Sequence, residues 1–388
     1  MAERGLAPIG HFNLVVFFGD GGDRAAWAWI DKQRGGDMVI EDVRIKNVAI
    51  VSLSSGIIGE PDGRFEAKIG LRRLREYGLH VEFMPHALKG LEYTAAHPKE
   101  RAEDLLQAFR DPEVDMILCA IGGDDTYRLL PYLFDHGELV EAVSDKVFLG
   151  FSDTTINHLM LHRVGLRTFY GQAFLPDVCE LGPTMLPYTQ RYFEELIRTG
   201  RIGEVTPSPV WYEQRTSFSS DQAGKPLVAL PDRGFELLQG PPVFSGKILG
   251  GCIDSLYDCF DGERYADMPA LCKKYCLFPD ADEWAGRILL LESSEEKPAP
   301  EKYRRALLYL KEADVFEAAS GVLVGKPMDE AYVNEYKRLL VEVIDRPELP
   351  VLFNVNVGHA LPRCIIPFGV DAVVDAEEQR IRFDDAAW

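Results

Sequence analysis

From residue 46 the chain alternates short apolar runs with longer amphipathic ones. Residues 47–53 (NVAIVSL) are apolar and rich in β-branched side chains, and they run into Ser54-Ser55-Gly56, which predicts a buried strand closed by a turn. Residues 64–77 space Ile69, Leu71 and Leu74 along one side of a helix, with Gly78 placed as its C-cap. A strand follows at 80–84. Residues 98–109 then predict a helix with Ala102, Leu105, Leu106 and Phe109 inward, and 114–121 (VDMILCAI) another buried strand. Strands at 146–151 and 167–170 continue the series. Strands alternating with helices imply βαβ units and a parallel sheet.

Between 181 and 245 the periodicity fades and prolines crowd, so this stretch reads as a long connection holding one helix at 188–199. A second regular unit opens at Gly246. It predicts strands at 287–292, 320–324 and 351–354, and helices at 303–313 and 330–345. Residues 1–45 fit neither unit. A strand-like run at 12–18 leads into Gly19-Asp20-Gly21-Gly22-Asp23, which lacks the spacing of a dinucleotide loop and reads as a hairpin or loop elaboration. The expected fold is therefore α/β: an N-terminal elaboration (1–45), a parallel-sheet α/β domain (46–180), a proline-rich connection (181–245) and a smaller, β-rich α/β C-terminal domain (246–388).

Composition narrows the function. The 388 residues are 46% hydrophobic and 27% charged, the profile of a globular protein. Forty-two basic against 62 acidic side chains give a net charge of −20. With no basic stripe, this argues against a nucleic-acid partner and against an anionic membrane surface. No apolar run is long enough for a signal core or a membrane span. Seven irregularly spaced cysteines suit reduced thiols better than a disulfide framework. The expectation is a leaderless cytoplasmic protein.

Three segments carry chemistry, each just past an apolar strand. Gly122-Gly123-Asp124-Asp125-Thr126-Tyr127 follows the strand at 114–121, as in a nucleophile elbow, with the Thr126 hydroxyl raised above the sheet. Read alone, it fits turn and N-cap chemistry better. Glu292 ends an apolar strand and puts a carboxylate at the sheet's carboxyl edge, or simply begins the solvated loop that Glu295 and Glu296 continue. His359 follows a strand and a glycine, where an imidazole can act as a base near neutral pH or pack as a loop histidine. Together they offer a hydroxyl, an imidazole and an orienting carboxylate.

In these segments the chain resembles the LD-carboxypeptidase family of serine peptidases, and more closely its microcin C self-immunity branch. The resemblance rests on Gly122-Gly123-Asp124-Asp125-Thr126 through Leu129-Leu130-Pro131-Tyr132, on Gly150-Phe151-Ser152-Asp153-Thr154, and on Thr168-Phe169-Tyr170-Gly171. It continues in Gly250-Gly251-Cys252-Ile253, Glu292-Ser293-Ser294-Glu295-Glu296, Gly358-His359-Ala360-Leu361-Pro362 and Pro367-Phe368-Gly369-Val370. It runs in order over 46–388 and leaves out 1–45.

The resemblance implies a two-domain hydrolase of peptide-like amides with the active site at the domain interface, no metal or other cofactor, and a homodimeric assembly. By position, Thr126 would be the nucleophile, where the family has serine, Glu292 the orienting acid and His359 the base. Backbone amides near Gly123 and Tyr127 would form the oxyanion hole. Asp125, Asp153, Trp211 and Cys252 are candidate substrate contacts. Substrates of the family are murein LD-peptides, or conjugates of an aminoacyl or peptidyl group with a nucleotide. Trp211, in the proline-rich connection, can serve as a base-stacking platform or pack that connection onto the body. Because threonine's extra methyl restricts its side chain, three outcomes follow: a slower hydrolase, a hydrolase tuned to another acyl group, or a protein that binds such ligands in the cleft without turnover. His158 and His162, four apart with no third ligand in view, do not make a zinc site.

Overall fold

The computed structural model describes residues 43–384; the strand and glycine cluster expected within 12–23 lie outside them. The first strands are β1 (Asn47–Val51), β2 (His80–Phe83), β3 (Met116–Cys119), β4 (Val147–Gly150) and β5 (Thr168–Tyr170). Next come β6 (Glu204–Val205), the hairpin β7 (Val210–Tyr212) and β8 (Ala229–Pro231), β9 (Glu236–Gln239), β10 (Val243–Cys252) and β11 (Arg287–Glu292). The last are β12 (Gly321–Gly325), β13 (Val351–Val355), β14 (Ile366–Phe368), β15 (Asp371–Asp375) and β16 (Arg380–Phe383).

Two sheets result. The first has the order β14-β5-β4-β3-β1-β2, and its strands β1 to β5 are parallel. Every residue of β3 (MILC) and β4 (VFLG) is buried, because helices cover both faces of a parallel sheet and leave no solvated side. The second has the order β6-β16-β15-β10-β11-β12-β13-β9, with β10 to β13 parallel and antiparallel strands at both ends. This is the expected α/β architecture, with a parallel-strand sheet in the N-terminal region and a second sheet in the C-terminal region.

The covering helices follow their periodic runs. Helix Pro61–Glu76 starts on a proline that needs no hydrogen-bond partner there, and ends before Gly78, which takes φ +76°. Pro98–Arg110 buries Ala102, Leu105, Leu106 and Phe109, the four positions read from the sequence. Helix Val333–Ile344 starts three residues later than its apolar pattern predicts, because Asp329, Glu330 and Tyr332 all adopt positive φ ahead of it. The apolar run at 114–121 likewise overshoots its strand by two residues at each end, since β3 spans Met116–Cys119.

Two features tie the sheets together. The proline-rich stretch is not bare connection, since β6 and β9 close the edges of the second sheet. β14, far along the chain, returns to the first sheet and pairs antiparallel with β5, Ile366 opposite Tyr170. The segment between β13 and β14, which carries His359, is thus held by a strand of each sheet.

Candidate active site

The parallel strands of both sheets deliver their carboxyl ends to one cleft, where open α/β sheets collect ligands. β4 ends at Gly150, and the chain turns through Phe151 and Ser152 into helix Thr154–Arg163. Ser152 sits at φ +67°, a left-handed conformation that a serine adopts only when its surroundings hold it there. Strand, strained serine and helix together have the geometry of a nucleophile elbow.

β11 ends in Glu292, which is buried. His359 lies four residues beyond the end of β13. Its Nδ1 is 2.7 Å from Glu292 Oε2, and its backbone N–H donates to the same oxygen at 3.1 Å. Its Nε2 is 3.0 Å from Ser152 Oγ. Gly358 makes this approach possible: with φ +92°, a Cβ there would fall 2.3 Å from Glu292 Oε2. Carboxylate, imidazole and hydroxyl therefore form a continuous hydrogen-bonded relay.

The hydroxyl in that relay is not that of Thr126. Thr126 Oγ1 is buried and donates instead to Asn157 Oδ1 at 3.1 Å, while its backbone N–H donates to Asp153 Oδ2 at 2.9 Å. Thr126 opens a short 3₁₀ turn, Thr126–Leu129, in a segment packed against the elbow. The contact expected between Thr126 and His359 is replaced by that between Ser152 and His359.

The other expected residues take distinct places. Gly122 runs directly against the serine, for a Cβ on it would come within 2.7 Å of Ser152 Oγ, while a Cβ on Gly123 would fall 2.2 Å from Ser54 Oγ. Among the described residues neither the Gly123 nor the Asp153 amide has an acceptor. Tyr127, whose backbone amide was the other expected oxyanion donor, donates its hydroxyl to Asp267 Oδ1 at 2.8 Å. Asp125 is bound by the buried Arg101, Nη1 to Oδ1 at 2.6 Å and Nη2 to Oδ2 at 3.3 Å. Asp153 accepts from Ser54 Oγ at 2.6 Å as well as from Thr126, and burial pushes its carboxyl up to about 6.

Trp211 lies on the β7–β8 hairpin, mostly buried, with Lys326 Nζ 5.1 Å above its ring. The neighbouring Tyr212 N–H donates to Leu361 O at 3.0 Å, so the hairpin rests on the His359 loop.

Cys252, at the end of β10, brings its sulfur to the same place. Donor atoms of Cys252, Glu292 and His359 lie within 4.8 Å of one another. As a metal site the set fits poorly. Burial and the neighbouring Glu292 push the thiol well up, so it stays protonated, and the His359 Nδ1 is already committed to Glu292.

The imidazole's electrostatics involve one residue that sequence reasoning left in a solvated loop. Glu295 Oε2 approaches His359 Nε2 to 2.9 Å although its side chain is 62% exposed. Burial opposes a charge on His359, but Glu292 and Glu295 outweigh it and raise the imidazole to about 10. In return, chiefly through its hydrogen bond with His359, Glu295 is held down to about 2. The resting site thus contains an imidazolium between two carboxylates.

Around this relay opens a cleft of about 430 Å3, lined among others by Ser54, Gly123, Asp124, Arg128, Arg264 and Glu296.

Comparison with known proteins identifies the family of the chain. The LD-carboxypeptidase N-terminal domain matches residues 48–171, and the LD-carboxypeptidase C-terminal domain matches residues 245–374. The chain belongs to the LD-carboxypeptidase family. A putative carboxypeptidase of Streptomyces coelicolor is 30% identical over 350 residues, 88% of this chain and 94% of that one. The microcin C7 self-immunity protein MccF of Escherichia coli is 25% identical over 295 residues, 74% of this chain and 79% of that one. Among solved structures, an MccF-like protein from Streptococcus pneumoniae in complex with AMP is 57% identical, with TM-score 0.87, over 88% of this chain and 99% of that one. MccF in complex with glutamyl sulfamoyl guanosine shares the fold, with TM-score 0.72 at 22% identity over 88% of this chain and 96% of that one. Among the described residues no helix is long and apolar enough to cross a membrane.

Proposed function

We propose that this member of the family is a serine-type amide hydrolase whose nucleophile is Ser152, with His359 as base and Glu292 as its orienting acid. The relay Ser152 Oγ–His359 Nε2 at 3.0 Å and His359 Nδ1–Glu292 Oε2 at 2.7 Å is the observation that carries the reading. Ser152 Oγ attacks the scissile carbonyl while His359 Nε2 takes its proton. Glu292 keeps the remaining proton on Nδ1 and stabilises the imidazolium that forms. The Gly123 and Asp153 amides face the developing oxyanion. As the tetrahedral intermediate collapses, His359 returns the proton to the departing nitrogen, and water then releases the acyl group by the same route.

Nε2 must be free of its proton for the first step. Glu295, which stabilises that proton at rest, therefore has to leave when substrate enters, and its exposure allows the movement.

For substrate we propose an amide joining an aminoacyl or peptidyl group to a nucleotide. The 57% identity to an MccF-like protein holding AMP favours this class over murein LD-peptides. The experiment is incubation with glutamyl-sulfamoyl-adenosine and with an LD-tetrapeptide, read by mass spectrometry. Release of free glutamate with sulfamoyl adenosine is the expected result. Tight binding of both compounds with cleavage of neither would make the chain a binding protein.

A further inference from the structure

Tyr170 is fully buried at the end of β5, in a segment to which the reaction scheme above assigns nothing. Its hydroxyl makes three contacts. It lies 2.6 Å from Glu292 Oε1, 3.2 Å from the backbone N of Ser152 and 3.3 Å from Thr155 Oγ1.

Donor chemistry decides the directions. A backbone N–H can only donate, so the phenol oxygen accepts from Ser152. Glu292 as a carboxylate can only accept, so the phenol proton points to Oε1. Thr155 donates to the remaining lone pair, and its own oxygen accepts the Cys252 N–H at 2.9 Å. The ring that carries the phenol is wedged beside His158 and stacked on Phe368, with centroids 5.3 Å apart in each case.

We propose that Tyr170 is a positioning residue for the reaction, one hydroxyl that holds the serine of the first sheet in register with the carboxylate of the second. Ser152 stands on the first sheet's β4 elbow, and Glu292 on the second sheet's β11. Besides the His359–Ser152 contact itself, the phenol is a direct hydrogen-bonded link between the serine's backbone and the acid. It leaves Oε2 of Glu292 entirely to His359 and pins the amide of a residue held at φ +67°. Burial and Glu292 push the phenol pKa well up, so the proton it gives to Oε1 is present throughout the working range.

This inference rests on the Ser152 reading, and its test separates the two. Wild type, Ser152→Ala, Tyr170→Phe and a variant with p-aminophenylalanine at position 170 are compared on glutamyl-sulfamoyl-adenosine, with thermal unfolding measured in parallel. Tyr170→Phe keeps the ring packing and removes only the hydroxyl. Its kcat should fall about 10- to 100-fold with KM within about twofold of wild type, as for a displaced catalytic group. The amino variant, which restores an N–H donor toward Oε1, should recover part of that loss. A Tyr170→Phe enzyme with wild-type kcat overturns the proposal, as does a loss of kcat that the amino variant leaves unrepaired and that only parallels lowered thermal stability. Undiminished turnover by Ser152→Ala overturns instead the nucleophile assignment on which it stands.

Discussion

His359 sits between two carboxylates, and that sets how the site responds to pH. Its pKa is raised from 6.5 to about 10, so the protonated form dominates at neutral pH in the resting enzyme. Activity needs the unprotonated Nε2 and therefore rises with pH toward that value. Glu295→Gln removes one of the two carboxylates, and the acid limb of the kcat/KM profile should move to lower pH, a shift that a pH series of initial rates will show. For stability the sign is opposite. A raised folded pKa favours the fold fully below 6.5, and that contribution is lost as pH climbs through about 10, so the unfolding temperature should decline over this window. At this scale Glu292 and His359 were singled out only through the family resemblance, since each segment read alone suits a solvated loop or a packed histidine equally; the structure brings the two side chains to 2.7 Å. Ser152 was passed over for Thr126 and suits equally the cap of the helix starting at Thr154, since both hydroxyls follow a strand and glycine and precede a helical turn. The distinguishing signal is distance: Ser152 stands two residues after β4 ends at Gly150, whereas Thr126 stands seven after β3 ends at Cys119. The positive φ of Ser152 is a product of tertiary packing and leaves no mark in the sequence.

Among the elements, the turns do the positioning. Gly358 lets the His359 loop pass against the Glu292 carboxylate, and an added Cβ would meet its Oε2, Cγ and Cδ at 2.3 to 2.5 Å. Gly358→Ala should therefore abolish activity even where the protein still folds. Gly137→Ala is the control. It also has positive φ, but nothing lies within 4 Å of its Cβ, so it should cost only about 1–2 kcal/mol of stability and leave kcat unchanged. Thermal unfolding and steady-state rates of the two variants check the contrast. Strands β1 to β5 and β11 to β13 and the longer helices were readable, because unbroken apolar runs and 3.6-residue periodicity survive in any packing, whereas β6, β9, β10, β15 and β16 carried no expectation. The pairing of β14 with β5 was not readable: three residues carry too little pattern to reveal which sheet they join.

Across the whole molecule, buried ion pairs hold the two sheets in register. Arg363, beyond the His359 loop, bonds Asp177 Oδ1 at 2.9 Å, with both side chains buried. The same guanidinium donates to the Gly358 and His359 carbonyls, so it fastens the catalytic loop to a segment that follows the first sheet's β5. Asp177→Ala would strand that charge, costing about 3–5 kcal/mol, and should lower the urea midpoint together with kcat. The central claim is that the hydroxyl facing His359, that of Ser152, performs the attack. The most direct measurement is the hydrolysis rate of Ser152→Ala beside Thr126→Ala on glutamyl-sulfamoyl-adenosine. Loss of kcat by about 10⁴-fold or more in the serine variant, with the threonine variant within about tenfold of wild type, is the predicted result. A silent Thr126→Ala beside a working Ser152→Ala would contradict it.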